Sequence, residues 1–283
     1  MTASRQTLRR RMHAVGNTKK ITRAMQMLAV NKFSRNLNRL KTNIEHNKYI
    51  KEIMQKILWG MEEMDGVYLQ ENNVAKKAVI VFTSDIGLCG SYNQNLMQMI
   101  TAEVDSEDII VVIGKKGHAW LTERGYNVIN PIIGIEEVSE NQLKRISDRA
   151  VQGFVDEKVS SVKLIYTKYV NPLVSEPKML TLLPLTKEER YANSQREIIF
   201  EPSEAITLEY LVPLYLDTVI YSYMIESIVS EQSARRVSMD KATDNADSLL
   251  ESLERTYHKT RQAQITQEVS EIVSGSRLGK DGL

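Results

Sequence analysis

The sequence predicts a chain of mixed class (α+β/α/β): a long antiparallel coiled coil of the N- and C-terminal helices, with an inserted Rossmann-like α/β domain. Three observations predict it. Residues 214–274 run between Pro213 and Gly275 without a Pro or Gly, residues that cost a helix about 3 and about 1 kcal/mol. Residues 17–59 are likewise free of both, and the first proline of the chain is Pro131. Between these ends, short β-branched runs alternate with helical patterns, the texture of a sheet with crossover helices. One helix over the C-terminal stretch would be roughly 90 Å long at 1.5 Å per residue, too long for a domain of this size to enclose. A helix of a large bundle is the alternative, but too few other helical segments exist to surround it. The boundaries that follow are 1–62 for the N-terminal coiled-coil helix, 63–76 for a linker, 77–203 for the α/β domain, 204–275 for the C-terminal coiled-coil helix and 276–283 for a polar tail.

The N-terminal helix opens near Thr2 or Ser4, either of which can cap it. Leu8, Met12 and Val15 are spaced by four and three. Gly16 reads as a tolerated glycine or a slight bend. Ile21, Met25 and Leu28 then share a face, and Leu37, Leu40 and Ile44 resume one. Residues 1–60 carry 14 Lys and Arg against 2 Glu. Residues 204–274 carry 6 bases against 12 acids, so antiparallel pairing sets a basic arm against an acidic one. The excess positive charge suits an acidic partner. No aromatic platform or base-reading motif accompanies it, so nucleic acid is not the expected partner.

Ala78 to Phe82 and Ile109 to Ile113 are apolar runs read as buried strands. Asn93 to Glu103 reads as a helix between them, and residues 118–124 as another. Tyr126 to Ile129 is expected as a short third strand. Ser139 and Gln142 form a capping box for a helix reaching Asp156. Val162 to Tyr169 and Lys178 to Leu183 are expected to pair as a hairpin, with Glu197 to Phe200 as an edge strand. In the C-terminal helix, Ala242, Ala246, Leu249, Leu253 and Tyr257 mark the seam, and Ile265, Val269, Ile272 and Val273 continue an apolar face.

Catalytic sites are hard to find. Gly114-Lys115-Lys116-Gly117 lacks the spacing and the Lys-Ser/Thr ending of a phosphate loop, and Gly87 with Gly90 fails the dinucleotide fingerprint. Cys89 is the single cysteine; it excludes an internal disulfide, and no histidine is argued to activate it. One Cys and four His make a zinc site of the usual kind unexpected. No cofactor and no metal are expected. No apolar run is long enough to span a membrane, and the basic start lacks a signal-peptide core.

Three blocks carry a resemblance. The first is Lys20-Ile21-Thr22-Arg23-Ala24-Met25-Gln26-Met27. The second is Ser84-Asp85-Ile86-Gly87-Leu88-Cys89-Gly90-Ser91-Tyr92-Asn93. The third runs from Glu231-Gln232-Ser233-Ala234-Arg235-Arg236 through Ala242-Thr243-Asp244-Asn245-Ala246 to Arg261-Gln262-Ala263-Gln264-Ile265-Thr266-Gln267-Glu268 and Glu271-Ile272-Val273-Ser274-Gly275. Together they resemble the gamma subunit of F-type ATP synthase, the central rotor shaft. The resemblance implies a left-handed antiparallel coil whose tip enters a hexameric head of alternating alpha and beta subunits. It places the α/β insert at the foot, against the epsilon subunit and the c-ring. It implies no ATP site and no enzymatic activity of the chain's own, but a rotor that couples transmembrane ion flow to ATP synthesis or hydrolysis in the head.

By the same resemblance, Lys20, Arg23 and Met25 match positions that face the acidic lever-arm loop of a beta subunit. Arg235 and Gln262 match contacts with the catch region of the open beta subunit, with Thr266 and Glu268 as neighbours. Neither Arg235 nor Gln262 is needed to complete the seam, so both are expected free for a partner. Ser84, Asp85, Gly87, Leu88, Cys89 and Gly90 match the foot-domain loop. Ile86 departs from the family's usual base there, which puts an ion pair beside the loop in doubt. The lack of a two-cysteine regulatory insert favours a bacterial form, peripheral on the cytoplasmic face of the plasma membrane. The alternative class is a static coiled-coil adaptor binding an acidic protein.

Overall fold

The computed structural model describes residues 5–61, 66–136, 138–189, 191, 201 and 203–278. In chain order these form α1 (Arg5–Gly60), β1 (Ala78–Phe82), α2 (Tyr92–Glu103), β2 (Ile109–Ile113), α3 (Lys115–Glu123), α4 (Glu140–Val155), β3 (Val162–Asn171), β4 (Val174–Leu183) and α5 (Glu204–Leu278). The chain divides into two compact units, and the division falls inside the two long helices. One unit is residues 1–28 with 238–283; the other is residues 29–237.

The larger unit is built on a four-stranded sheet in the order β2-β1-β3-β4. β1 pairs in parallel with β2 and β3, and β3 pairs antiparallel with β4. Strand side chains alternate between faces, and both faces are covered. On one face Ile80, Phe82 and Leu164 pack with Leu58 of α1, Phe154 of α4 and Leu216 of α5. On the other, Val79, Val81, Val112 and Ile165 pack with Leu96 and Ile100 of α2 and Leu121 of α3. This is the three-layer arrangement that alternating strands and helices require. Both faces being dry explains why β1 and β2 read as unbroken apolar runs.

The capping box at α4 forms as expected: Ser139 Oγ accepts from the Gln142 amide at 3.3 Å, and the Ser139 amide donates to Gln142 Oε1 at 2.9 Å. Residues 126–129 are not a strand. This segment makes one isolated bridge to β2, at Val128, with a second beyond it at Ile132, because between them Asn130 turns out of the extended region at φ 44° and Pro131 has no amide to donate. Pro177 lies within β4, opposite Thr167. β4 is the outermost described strand on that side, where a missing amide is tolerated. The expected edge strand at 197–200 lies outside the described residues.

α5 begins ten residues earlier than a stretch bounded by Pro213 would, and it runs through that proline. The flanking residues Leu208, Val212 and Leu216 are all buried, and that burial outweighs the roughly 3 kcal/mol cost of an internal proline. α1 likewise runs through Gly16.

In the smaller unit the two helices are antiparallel. Thr22 and Thr243 hydroxyls share a 2.8 Å hydrogen bond, Gln26 Nε2 donates to Asp240 Oδ1 at 2.6 Å, and Lys19 pairs with Asp247. On α1 the residues turned inward are Leu8, Met12, Val15, Lys19, Thr22 and Gln26; on α5 they are Met239, Thr243, Ala246, Leu250, Leu253 and Tyr257. These positions repeat every seven residues, the spacing of a left-handed coil. Two expectations are corrected here. Ile21 and Leu28 are 61% and 59% exposed, with Thr22 in the seam instead, and Leu249 is 45% exposed, with Leu250 in its place. A threonine and a glutamine hold seam positions because each finds a hydrogen-bond partner across the coil.

Candidate functional site

Two regions hold the residues singled out from sequence. The first, in the larger unit, is the loop after β1. Thr83 ends the strand fully buried. Its hydroxyl donates to the Ile113 or Gly114 carbonyl, each at 3.2 Å, and accepts from the Gly117 amide at 3.1 Å. This close approach decides two glycines. A Cβ on Gly114 would sit 2.2 Å from the Thr83 carbonyl oxygen, and one on Gly117 would sit 2.5 Å from the Thr83 side chain. The Gly-Lys-Lys-Gly run is therefore a packing requirement of the β1 and β2 ends, not a phosphate cradle.

Asp85 accepts three backbone hydrogen bonds, from Lys115 at 3.0 Å, Gly134 at 2.9 Å and Ile135 at 2.7 Å. One carboxylate thus ties the loop to the start of α3 and to the segment before α4. Asn93 on α2 closes the loop from below. Its Nδ2 donates to Ser84 Oγ at 2.7 Å and to Cys89 Sγ at 3.3 Å, and its Oδ1 accepts from the Ser84 amide at 3.2 Å. Cys89 is buried, and burial pushes its thiol above the usual range, so it is a packed thiol and not a ready nucleophile. Leu88 sits at φ 64° and Gly90 at φ 58°, a bend that leaves Ile86 and Leu88 59% and 58% exposed.

Arg235 on α5 is buried, contrary to the expectation that it is free for a partner. Its Nη2 donates to the Ile86 carbonyl at 2.7 Å and the Gly87 carbonyl at 3.4 Å, and pairs with Glu231 Oε1 at 2.7 Å. The contact uses the backbone of Ile86, so it asks nothing of that side chain. Glu231 is equally buried, and desolvation raises its carboxyl from 4.5 to about 7 even though Arg235 pulls the other way. The neighbouring carboxylates of Glu136 and Asp85 add to the rise. Glu136 is itself held by Gln232 Nε2 at 2.8 Å and Lys32 Nζ at 2.7 Å.

The same face of α5 is fixed to the β3–β4 hairpin by polar contacts. Ser227 Oγ accepts from the Thr167 amide at 3.2 Å, Ser230 Oγ donates to the Thr167 carbonyl at 3.0 Å, and Ser233 Oγ donates to the Pro172 carbonyl at 2.8 Å. Glu226 accepts from the Tyr169 amide at 3.1 Å. Sequence reasoning missed this buried polar stripe. Its signal was present in the serines and acids of Glu226 to Ser233, recurring at helical spacing where a buried helix would normally show aliphatics.

The second region is in the smaller unit. Lys20 and Arg23 are exposed and make no ion pair among the described residues, and Met25 is half-buried. Every residue of α5 from 261 to 273 is exposed. Gln262 and Glu268 point to solvent, and the Thr266 hydroxyl only donates back to the Gln262 carbonyl at 2.9 Å. Ile265, Val269, Ile272 and Val273 form an apolar stripe on this stretch, between 47% and 72% exposed.

Among the described residues no group of three or more metal-ligating side chains occurs, and no helix is long and apolar enough to cross a membrane. A two-helix coil with an exposed apolar stripe on α5, and a sheet whose glycine loops serve packing, define a coiled-coil protein with an inserted α/β domain. A family model described as ATP synthase matches residues 4–277. The ATP synthase gamma chain of Clostridium novyi is 36% identical over 274 residues, covering 95% of this chain and 96% of its own. That of Mycoplasma mobile is 35% identical over 282 residues, covering 97% and 98%. A chain from the cryo-EM structure of the Euglena gracilis mitochondrial ATP synthase (OSCP, F1 and c-ring) shares the fold at a TM-score of 0.77 and 15% identity, covering 98% of this chain and 95% of its own. The chain belongs to the gamma-chain family of F-type ATP synthases, the non-catalytic central rotor shafts.

Proposed function

We propose that this chain turns as a rotor inside a hexameric head of alpha and beta subunits, coupling ion flow through a c-ring to ATP synthesis or hydrolysis. The observation that carries this reading is the stretch 261–273 of α5, exposed on every side and bearing an apolar stripe. Exposed apolar surface of this kind marks a protein interface. A shaft surrounded by a closed head would use a helix end in that way. Epsilon and the c-ring belong at the foot, in the larger unit. Bacterial relatives such as the Clostridium and Mycoplasma chains favour the cytoplasmic face of a bacterial plasma membrane.

Lys20, Arg23 and Met25 are the residues proposed to meet the acidic lever-arm loop of a beta subunit. Gln262, Thr266 and Glu268 are proposed to meet its catch region. Exposed pairs worth roughly 0–1 kcal/mol can form and release on each step, which buried ones cannot. Arg235 joins this set only by giving up the Ile86 and Gly87 carbonyls, and its geometry assigns it first to holding the foot loop. The domain boundaries 1–62, 63–76, 77–203, 204–275 and 276–283 are kept as functional divisions: coil, linker, foot, coil and tail.

Co-expression with alpha and beta subunits tests the reading. A rotor yields a 3:3:1 complex with ATPase activity, and a double reversal of Lys20 and Arg23 to Glu lowers turnover with the complex intact. A static adaptor recovers an acidic partner without that stoichiometry and without ATPase activity.

A further inference from the structure

Under α4 lies a cavity of about 370 Å³ that no residue of the foot loop lines. Its floor is the sheet, and its walls are α4 and the segment at residues 129–132. The lining is apolar: Ile80, Val111, Ile132, Ile146, Ala150 and Val159 among others. Its mouth follows from backbone chemistry. The segment meets β2 at Val128 and again at Ile132, and between them Asn130 turns into the left-handed region with Pro131 behind it. The chain bows away from the sheet edge there, and the gap between bow and helix stays open.

The charge around this opening is one-sided. Arg145 and Arg149 line it one helical turn apart, both are exposed, and neither makes an ion pair or hydrogen bond among the described residues. Lys158 also lines it but is taken by Asp156 at 2.7 Å. Two unpaired guanidiniums one turn apart present forked donors suited to a carboxylate. The volume is at the lower end of the roughly 300–1,000 Å³ range of small-molecule sites. A two-chain phospholipid exceeds it.

We propose that this cavity is a binding site for the anion of a single-chain, long-chain carboxylic acid, its tail in the apolar crevice and its carboxylate on Arg145 and Arg149. The tail gains by leaving water, and the head keeps its charge at the rim where both partners remain solvated.

Calorimetric titration of the full-length chain with dodecanoate, kept below its micellar concentration, tests the site. The expected result is one site with micromolar Kd. Ala150→Phe fills the crevice and Arg145→Glu/Arg149→Glu reverses the rim, and each is expected to weaken binding at least tenfold. Far-ultraviolet dichroism and thermal melting establish that each variant is folded. Should Ala150→Phe fail to fold, the exposed rim pair still decides, because no core residue is altered. Dodecyltrimethylammonium, with the same tail and the opposite charge, is expected not to bind. Equal binding of the cationic amphiphile, several sites per chain, unchanged affinity in the folded rim variant, or binding only to phosphatidylglycerol vesicles would each overturn the proposal.

Discussion

One helix, α5, carries two stretches of opposite design. From Glu226 to Arg235 its polar side chains are buried or half-buried and held within the chain, by the backbone at Tyr169, Thr167, Pro172, Ile86 and Gly87 and by the side-chain pairs Glu231–Arg235 and Gln232–Glu136. From Arg261 to Val273 polar and apolar side chains alike face solvent. The third block of the family resemblance takes in the end of the first stretch, from Glu231, and the whole of the second, yet the physical reasons for their residues differ. A buried polar group must keep a partner or lose its hydration without return. An exposed one can exchange water for a partner subunit and back at small cost. The first stretch locks a helix to a sheet; the second stays exposed along its whole length.

The sharpest way to break this comparison is Arg235→Ala. It leaves the Glu231 carboxyl buried without its cation and frees two loop carbonyls. Losing one member of a buried pair costs about 3–5 kcal/mol. Urea unfolding of the full-length chain is expected to register a loss of that size. A loss under 1 kcal/mol would return Arg235 to the class of surface contacts.

Glu231→Gln probes the same pair through pH. The carboxyl is raised from 4.5 to about 7 by burial, so the folded chain holds this proton more tightly than the unfolded one. Its contribution to stability is complete below pH 4.5 and is lost as pH rises through about 7. The wild-type chain is expected to lose more stability between pH 4.5 and 7 than the Gln variant does. Parallel pH profiles of the two would show that Glu231 is not desolvated in solution.

The coil seam gives an effect of middle size. Thr22 and Thr243 share one hydrogen bond in a partly dry interface. A double-mutant cycle with Val at each position is expected to give a coupling of about 1 kcal/mol, the net worth of a typical hydrogen bond.

How legible these regions were in the sequence follows the same division. Apolar runs revealed β1 and β2, the Ser139 and Gln142 spacing revealed the α4 capping box, and long stretches without Pro or Gly revealed the two long helices, because each of these follows a local rule. Apolar periodicity misplaced the seam by one residue at Ile21 and Leu249, where Thr22 and Leu250 face inward. At Ile21 the error arose because a threonine with a partner across the coil takes the inward position from a more apolar neighbour, and that partner is 221 residues away. Tyr126 to Ile129 looked like a strand by composition, but Asn130 and Pro131 end its pairing after one isolated bridge. The Arg235 environment was not legible for the same reason as the seam. Its partners are backbone carbonyls of a loop 148 and 149 residues distant, and carbonyls leave no mark in a sequence. Gln262 was placed correctly on an exposed face, because nothing distant competes for it.

Gln262→Ala carries the comparison to its small end. The side chain is exposed on a stretch with no packing partner among the described residues. Alanine is the best helix former, and glutamine is close behind it. Surface substitutions of this kind change stability within about 0.5 kcal/mol, so the unfolding midpoint of the full-length chain is expected not to move. The assembled complex should respond differently. A hydrogen bond made only in some rotor positions lowers those positions relative to the others, and its removal changes the barriers between them. ATPase and ion-pumping rates measured on one assembled preparation are therefore expected to fall together, with subunit stoichiometry and helical content preserved. Wild-type rates in a fully assembled Gln262→Ala complex would remove this residue from the partner contact. A falling unfolding midpoint in the free chain would instead mean that Gln262 supports α5 itself, and the contrast between its two stretches would close.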